Sequence, residues 1–272
     1  MLCLNLGCGA RFHHDWINID FVSTTPAVLA YNLLLGIPYP DNHFDVVYHS
    51  HVLEHFTKSD GKRLIKECFR VLKPDGIIRI VVPDLEEIAK QYLKAVDAVV
   101  KHDSQMNSAN YDWSVIELLD QMVREKSGGE MASYWSQREI INETAVESRV
   151  GTEFKIFREG LVQNKEEFSS TGISNLAFFI KIKNGLKIQI FKALNVDPSA
   201  ISIGKFRNGG ECHKWMYDRY SLYRLLLDEG FRNVKRTTPF ESSVPDWWRY
   251  LSLDVDNGKV RKPDSLFMEA TK

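Results

Sequence analysis

Along the first hundred positions, apolar residues come in short runs cut by turn signals, with helical stripes between them. Leu2–Leu6 (LCLNL) runs into Gly7-Cys8-Gly9, the pattern of a buried strand entering a tight turn. Trp16–Asp20 (WINID) predicts a second short strand that closes on an acid. Phe44–Tyr48 (FDVVY) is β-branched and aromatic and follows Pro38, Pro40, Asp41 and Asn42, which predicts a third. Thr57-Lys-Ser-Asp60 resembles a capping box. The residues after it place Leu64, Ile65, Cys68, Phe69 and Leu72 on one helical face, until Lys73-Pro-Asp-Gly76 ends the helix. Ile77–Val82 reads as a strand again, and Pro83-Asp84 leads into a helix from about Leu85. Strand, turn and helix alternate at α/β spacing, so a mostly parallel sheet with helices on both faces is expected.

After position 101 the pattern changes. Helical periodicity (Trp113, Ile116, Met122, Val123) and polar breaks such as Ser127-Gly-Gly129 continue to about 205 without clear strands. This predicts a helical insertion or lid over 102–205, between a first half (1–101) and a closing segment (206–272). The closing segment carries an amphipathic helix over Asp218–Gly230 and strands over Asn233–Thr237 and Ser265–Thr271.

The charges nearly cancel, at 35 basic against 36 acidic residues, so no polyanion is attracted by bulk charge and no nucleic-acid partner is expected. Four cysteines without C-x-x-C spacing, no leader pattern and no apolar run long enough to span a bilayer point to a soluble cytoplasmic protein.

Chemistry enters with the glycine turn. A strand, a GxG turn and an acid ending the next strand suit a nucleotide cofactor: glycines let backbone approach the ligand, and the acid accepts from ribose hydroxyls. Phe12 stands where G-x-G-x-x-G needs its third glycine, which argues against NAD or FAD. The gap from Gly9 to Asp20 is too short for a full helix.

Six segments, LNLGCG (Leu4–Gly9), WINID, IPYPDNHFDVVYHSHVLEH (Ile37–His55), RVLKPDGIIRIVVPD (Arg70–Asp84), HKWMYDRYSLYRLLLDEGF (His213–Phe231) and SLFMEA (Ser265–Ala270), resemble class I S-adenosylmethionine-dependent methyltransferases. The likeness is to the type 11-like group found with polysaccharide biosynthesis genes. It implies one Rossmann-like domain over 1–272, with S-adenosylmethionine as cofactor and S-adenosylhomocysteine as product. It places Gly7 and Gly9, with Asn5 and Cys8 beside them, at the methionine part. Asp20 would hold the ribose, Phe21 and Asn32 with Leu33 would meet the adenine, and His49 to His51, with Ser50, would line the pocket near the sulfonium. Asn5 replaces the family's usual acid, and Arg11 stands where many relatives have another glycine.

The stretch His49–His55 (HSHVLEH) also contains H-x-x-E-H (His51, Glu54, His55), the pattern of inverted zinc peptidases. That pattern needs a helix, whereas FDVVY feeds straight into it and the helix starts near Thr57. A pocket wall with no metal is therefore expected, with Glu54 and His55 fixing the turn. The expected reaction is methyl transfer to a small molecule or glycan, with His51 or His213 as base for a sugar hydroxyl. A non-catalytic S-adenosylmethionine-binding protein and a zinc hydrolase are the alternatives. Trp113, Tyr134 and Trp135 in the insertion suit a sugar or other flat apolar face, or else a hydrophobic core. The lysine-interleaved apolar segment within 176–194 suits peripheral contact with an anionic membrane.

Overall fold

The strands Cys3–Leu6 (β1), Ile17–Asp20 (β2), Val28–Ala30 (β3), Phe44–Ser50 (β4), Leu72–Pro83 (β5) and Arg232–Thr237 (β6) come first in the chain. Val255–Asp256 (β7) and Lys259–Val260 (β8) make a separate ribbon, and Ser265–Thr271 (β9) follows. In this computed structural model, which describes residues 1–23, 25–167 and 197–272, seven strands form one sheet in the order β3-β2-β1-β4-β5-β9-β6. Pairing is parallel from β3 through β5, and β9 runs antiparallel between β5 and β6. The chain winds outward from β1 to β3 and returns to β4 on the other side. The ends of β1 and β4 therefore border the crevice where ligands of such sheets bind.

The helices are Lys58–Val71 (α1), Leu85–Lys101 (α2), Gln105–Val123 (α3), Gly129–Trp135 (α4), Glu143–Val150 (α5), Thr152–Glu167 (α6), Pro198–Arg207 (α7) and Arg219–Asp228 (α8). Local chemistry sets their starts. Thr57 caps α1 by accepting from the Asp60 amide, Asp84 caps α2 by accepting from Glu86 and Glu87, and Asp218 and Ser221 form a capping box on α8. No helix forms between β1 and β2, as the spacing requires.

One face of the sheet (Leu4, Leu6, Val47, Ile78, Ile80) packs on Leu64, Ile65 and Cys68 of α1 and Leu222 and Leu226 of α8. The other (Cys3, Val46, Tyr48, Val81, Phe267) is covered by Trp16, Trp247, Tyr250 and Leu253. Through this second layer runs Arg79 of β5, fully buried. Its guanidinium pairs with Asp254 at 2.8 Å and Glu269 at 2.7 Å and lies 4.2 Å from the Trp247 ring. Tyr48 donates to the other Asp254 oxygen across 2.6 Å. A buried charge on this scale requires all these partners.

The helices after β5 have a core of their own, built on Trp113, Met131, Tyr134, Trp135, Val146 and Phe154. Of the two readings of the aromatics, Trp113 and Tyr134 take the core one as packing residues, while Trp135 packs there and also borders a cavity. The segment 176–194 lies outside the described residues. Among the described residues no helix is long and apolar enough to cross a membrane.

Candidate functional site

Gly7 and Gly9 close β1 with φ of +61° and +53°, a left-handed turn that glycine adopts without cost. Their surroundings differ. A Cβ on Gly7 would meet Val52 Cγ2 at 2.3 Å, whereas one on Gly9 would meet nothing within 4 Å. Gly7 is thus demanded by packing, and Gly9 faces open space. Asn5 is buried below the loop and donates to the Arg11 carbonyl at 3.2 Å and to Asn18 Oδ1 at 3.3 Å. An amide can donate in this way and a carboxylate cannot, so the departure at position 5 has a structural use. Arg11 reaches Asp256 at 3.6 Å.

Two cavities meet here. One, of about 360 Å³, is bordered by Asn5, Gly7, Cys8, Gly9, Ser50 and His51. The other, of about 550 Å³, is bordered by Gly7, Asp20, Phe21, Asn32, Leu33 and His51. The expected cofactor residues thus gather around two spaces that share Gly7 and His51. Phe21 is 70% exposed, a free aromatic face for a flat ring. Asn32 caps the turn at Leu33–Leu35 through Oδ1. The Cys8 thiol is pushed up to about 11 by burial and by Asp20, so it is not a nucleophile at neutral pH. The open front of Gly9, the strand-end carboxylate and the exposed ring fit a nucleoside-bearing sulfonium.

The stretch HSHVLEH splits into three environments. His49 is fully buried with both ring nitrogens unpartnered, and burial lowers its pKa to about 4. It does not border either cofactor cavity, which corrects its placement near the sulfonium. The reason is strand alternation: Tyr48 and Ser50 take the cavity face of β4, and His49 the opposite one. His51 then takes φ +54°, a costly value for a non-glycine residue that turns its ring back to the cavity. Its Nε2 lies 2.8 Å from Ser265 Oγ, and its Nδ1 lies 3.1 Å from Glu54 Oε1. Leu53–His55 is a single 3₁₀ turn, so the helix demanded by H-x-x-E-H is not there.

Glu54, expected to fix a turn or to serve the H-x-x-E-H alternative, lies at the centre of the histidine cluster. Its carboxylate is fully buried. Burial pushes its pKa up, and the surrounding histidines, His51 first, outweigh that and bring it down to about 2. The signal in the sequence is H-x-x-E-H, which sets Glu54 at i,i+3 from His51. His213 comes from far along the chain, because Lys214 and Trp215 both donate their amides to the Glu54 carbonyl (2.7 and 3.2 Å). Its ring stands edge-on to His55, centroids 4.9 Å apart, and burial lowers its pKa to about 3. His51 and His213 share a third cavity, of about 450 Å³, with Glu153, Lys262 and Trp135. Thr152, Glu153 and Ile156 of α6 border the first cavity too.

Residues 4–80 match the family model for a methyltransferase domain. That stretch, which holds the glycine loop, Asp20 and HSHVLEH, is a methyltransferase domain of the kind dependent on S-adenosylmethionine. No curated protein matches the chain. Solved structures similar to it include a SAM dependent methyltransferase from Archaeoglobus fulgidus, 13% identical, over 99% of this chain and 85% of that one, TM-score 0.40. Another is an S-adenosylmethionine dependent methyltransferase from Mesorhizobium loti, at 11%, 100%, 90% and 0.39. A third, from Thermotoga maritima, is described as a possible histamine N-methyltransferase, at 11%, 100%, 82% and 0.38.

Proposed function

We infer that this methyltransferase methylates a hydroxyl of a small molecule or glycan, with His51 as the proton acceptor. The observation that carries this reading is the position of His51: it borders both cofactor cavities and the third cavity beyond them, with a buried carboxylate behind it. S-adenosylmethionine supplies an electrophilic methyl on a sulfonium. The rest is alignment and proton handling by the chain. Glu54 on the Nδ1 side favours a proton there, which leaves the Nε2 lone pair as the acceptor. Ser265 Oγ occupies that lone pair's direction at 2.8 Å, the place an acceptor hydroxyl would take.

Gly7 and Gly9 shape the floor, Asp20 accepts from the ribose, and Phe21 and Asn32 frame the adenine. The insertion over 102–205 acts as the lid that selects the acceptor and excludes water, a role supported by the α6 residues at the cavity rim. The free, buried cysteines suit a reducing cytoplasm. Incubation with methyl-labelled cofactor and a panel of nucleotide sugars, free glycans and small amines tests the reading. Label in a hydroxyl acceptor is expected, and label only in amines would overturn it.

A further inference from the structure

The three side chains Glu54, His55 and His213 offer ligand atoms that all lie within 4.8 Å of one another. Glu54 and His213 are buried, at 0% and 5% exposure. Glu54 Oε2 and the Nδ1 atoms of His55 and His213 lack any hydrogen-bond partner, while Oε1 faces His51 Nδ1 at 3.1 Å. Buried polar atoms are nearly always partnered, so three orphans at one point require something to fill the gap. All three carry lone pairs. A water molecule has only two protons to donate to them, whereas a cation can accept from every side chain at once. The nearby cations are spent elsewhere: Lys262 pairs with Glu153 at 2.9 Å, and Arg124 with Asp120 and Glu211. Among the described residues the only ion-pair partner of Glu54 is His51, which faces Oε1.

We propose that Glu54, His55 and His213 form a mononuclear site for a zinc-class divalent cation next to the His51 wall. Two imidazoles and one carboxylate are a donor set that suits zinc with a fourth position left open. Tetrahedral ligands at zinc stand about 3.4 Å apart, so the cluster closes on the ion by small side-chain rotations. His55 and His213 border the 450 Å³ cavity, which gives the ion an entry path. The amides of Lys214 and Trp215 on the Glu54 carbonyl hold the two halves of the site together. The H-x-x-E-H pattern thus contributes Glu54 and His55, while the remaining ligand is His213 rather than His51. This site stands independently of the methyl acceptor.

The test uses the full chain, stripped with a chelator and titrated with Co²⁺. One Co²⁺ per chain is expected, with visible ligand-field absorption that stoichiometric Zn²⁺ bleaches. Glu54→Gln and His213→Ala should each weaken Zn²⁺ binding by about 100-fold or more, and exposed His102→Ala should not. No stoichiometric Co²⁺, or full binding in both ligand variants, overturns the site. Should those variants fail to fold, imidazole ¹⁵N spectra of the unmutated chain decide. Zn²⁺ should move the Nδ1 resonances of two histidines, and spectra unchanged by Zn²⁺ overturn the proposal.

Discussion

The amide of Gly9 donates to Oδ2 of Asp20 across 2.7 Å, so one carboxylate holds the glycine loop while it borders the cofactor cavity. Its other oxygen accepts from the Val22 amide at 3.2 Å. Asp20→Ala removes the proposed ribose partner and frees the loop together. Loss of a charge-assisted contact costs about 1.5–3 kcal/mol, so affinity for S-adenosylhomocysteine should fall by about 10- to 100-fold. Calorimetric titration checks this, and unchanged affinity would remove Asp20 from the ribose.

The two loop glycines should separate stability from binding. Gly7→Ala puts a methyl into Val52 and should lower the melting temperature strongly, beyond the ~1–2 kcal/mol of a left-handed alanine. Gly9→Ala carries only that backbone cost, because its Cβ meets open space. It should fold and yet bind cofactor poorly. Melting curves and titrations on both variants distinguish the roles, and tight cofactor binding by Gly9→Ala would contradict the open-front reading.

For His51, replacement by alanine should lower turnover by about 10²–10⁴-fold. Cofactor affinity should change little, since the proposed nucleoside contacts are Asp20, Phe21 and Asn32 rather than His51. Turnover and cofactor titration on the same preparation are the measurement. A wild-type rate would exclude His51 as the base. Tyr217 is a poor substitute, because burial and Glu54 push its hydroxyl up to about 12.

His49 predicts an acid sensitivity. Burial holds its folded pKa at about 4 against an ordinary 6.5, with the Glu54 charge opposing more weakly. Between those values the unfolded chain binds a proton that the folded chain refuses. Stability therefore falls as pH drops through this window, by up to about 3 kcal/mol. His213, also lowered, acts in the same direction. Melting temperatures from pH 7 to 4.5 should decline less steeply in His49→Gln, and parallel declines would show that His49 is not held neutral.

FDVVY and the Thr57 cap were legible because their signals are local, each carrying its own periodicity or side-chain partner, whereas the three-residue β3 is too short to show a period. The gathering of Gly7, Asp20 and His51 followed from strand ends at a switch point, which order along the chain implies. What escaped depends on contacts across long separations. Nothing near Glu54 announces that His213 will lie against it, since the link is made by backbone amides. His49 was misplaced because it sits two residues before the positive-φ turn at His51, where strict alternation ends. Trp113 and Tyr134 read equally well as surface or core until α3–α6 are seen to need a core of their own.

The pairing of β5 with β9 sets a timetable for synthesis. Ile77–Pro83 must wait for Ser265–Thr271 before one edge of β5 is covered. At translation rates of about 5–20 residues per second, that edge stays open on the ribosome for roughly 10–40 seconds. Arg79 waits as long for Asp254 and Glu269, a charge in a strand that cannot bury until both arrive. The nascent chain thus carries an open, β-branched edge whose early collapse is blocked by an unpaired guanidinium. The same arginine that locks the finished sheet keeps the unfinished one soluble.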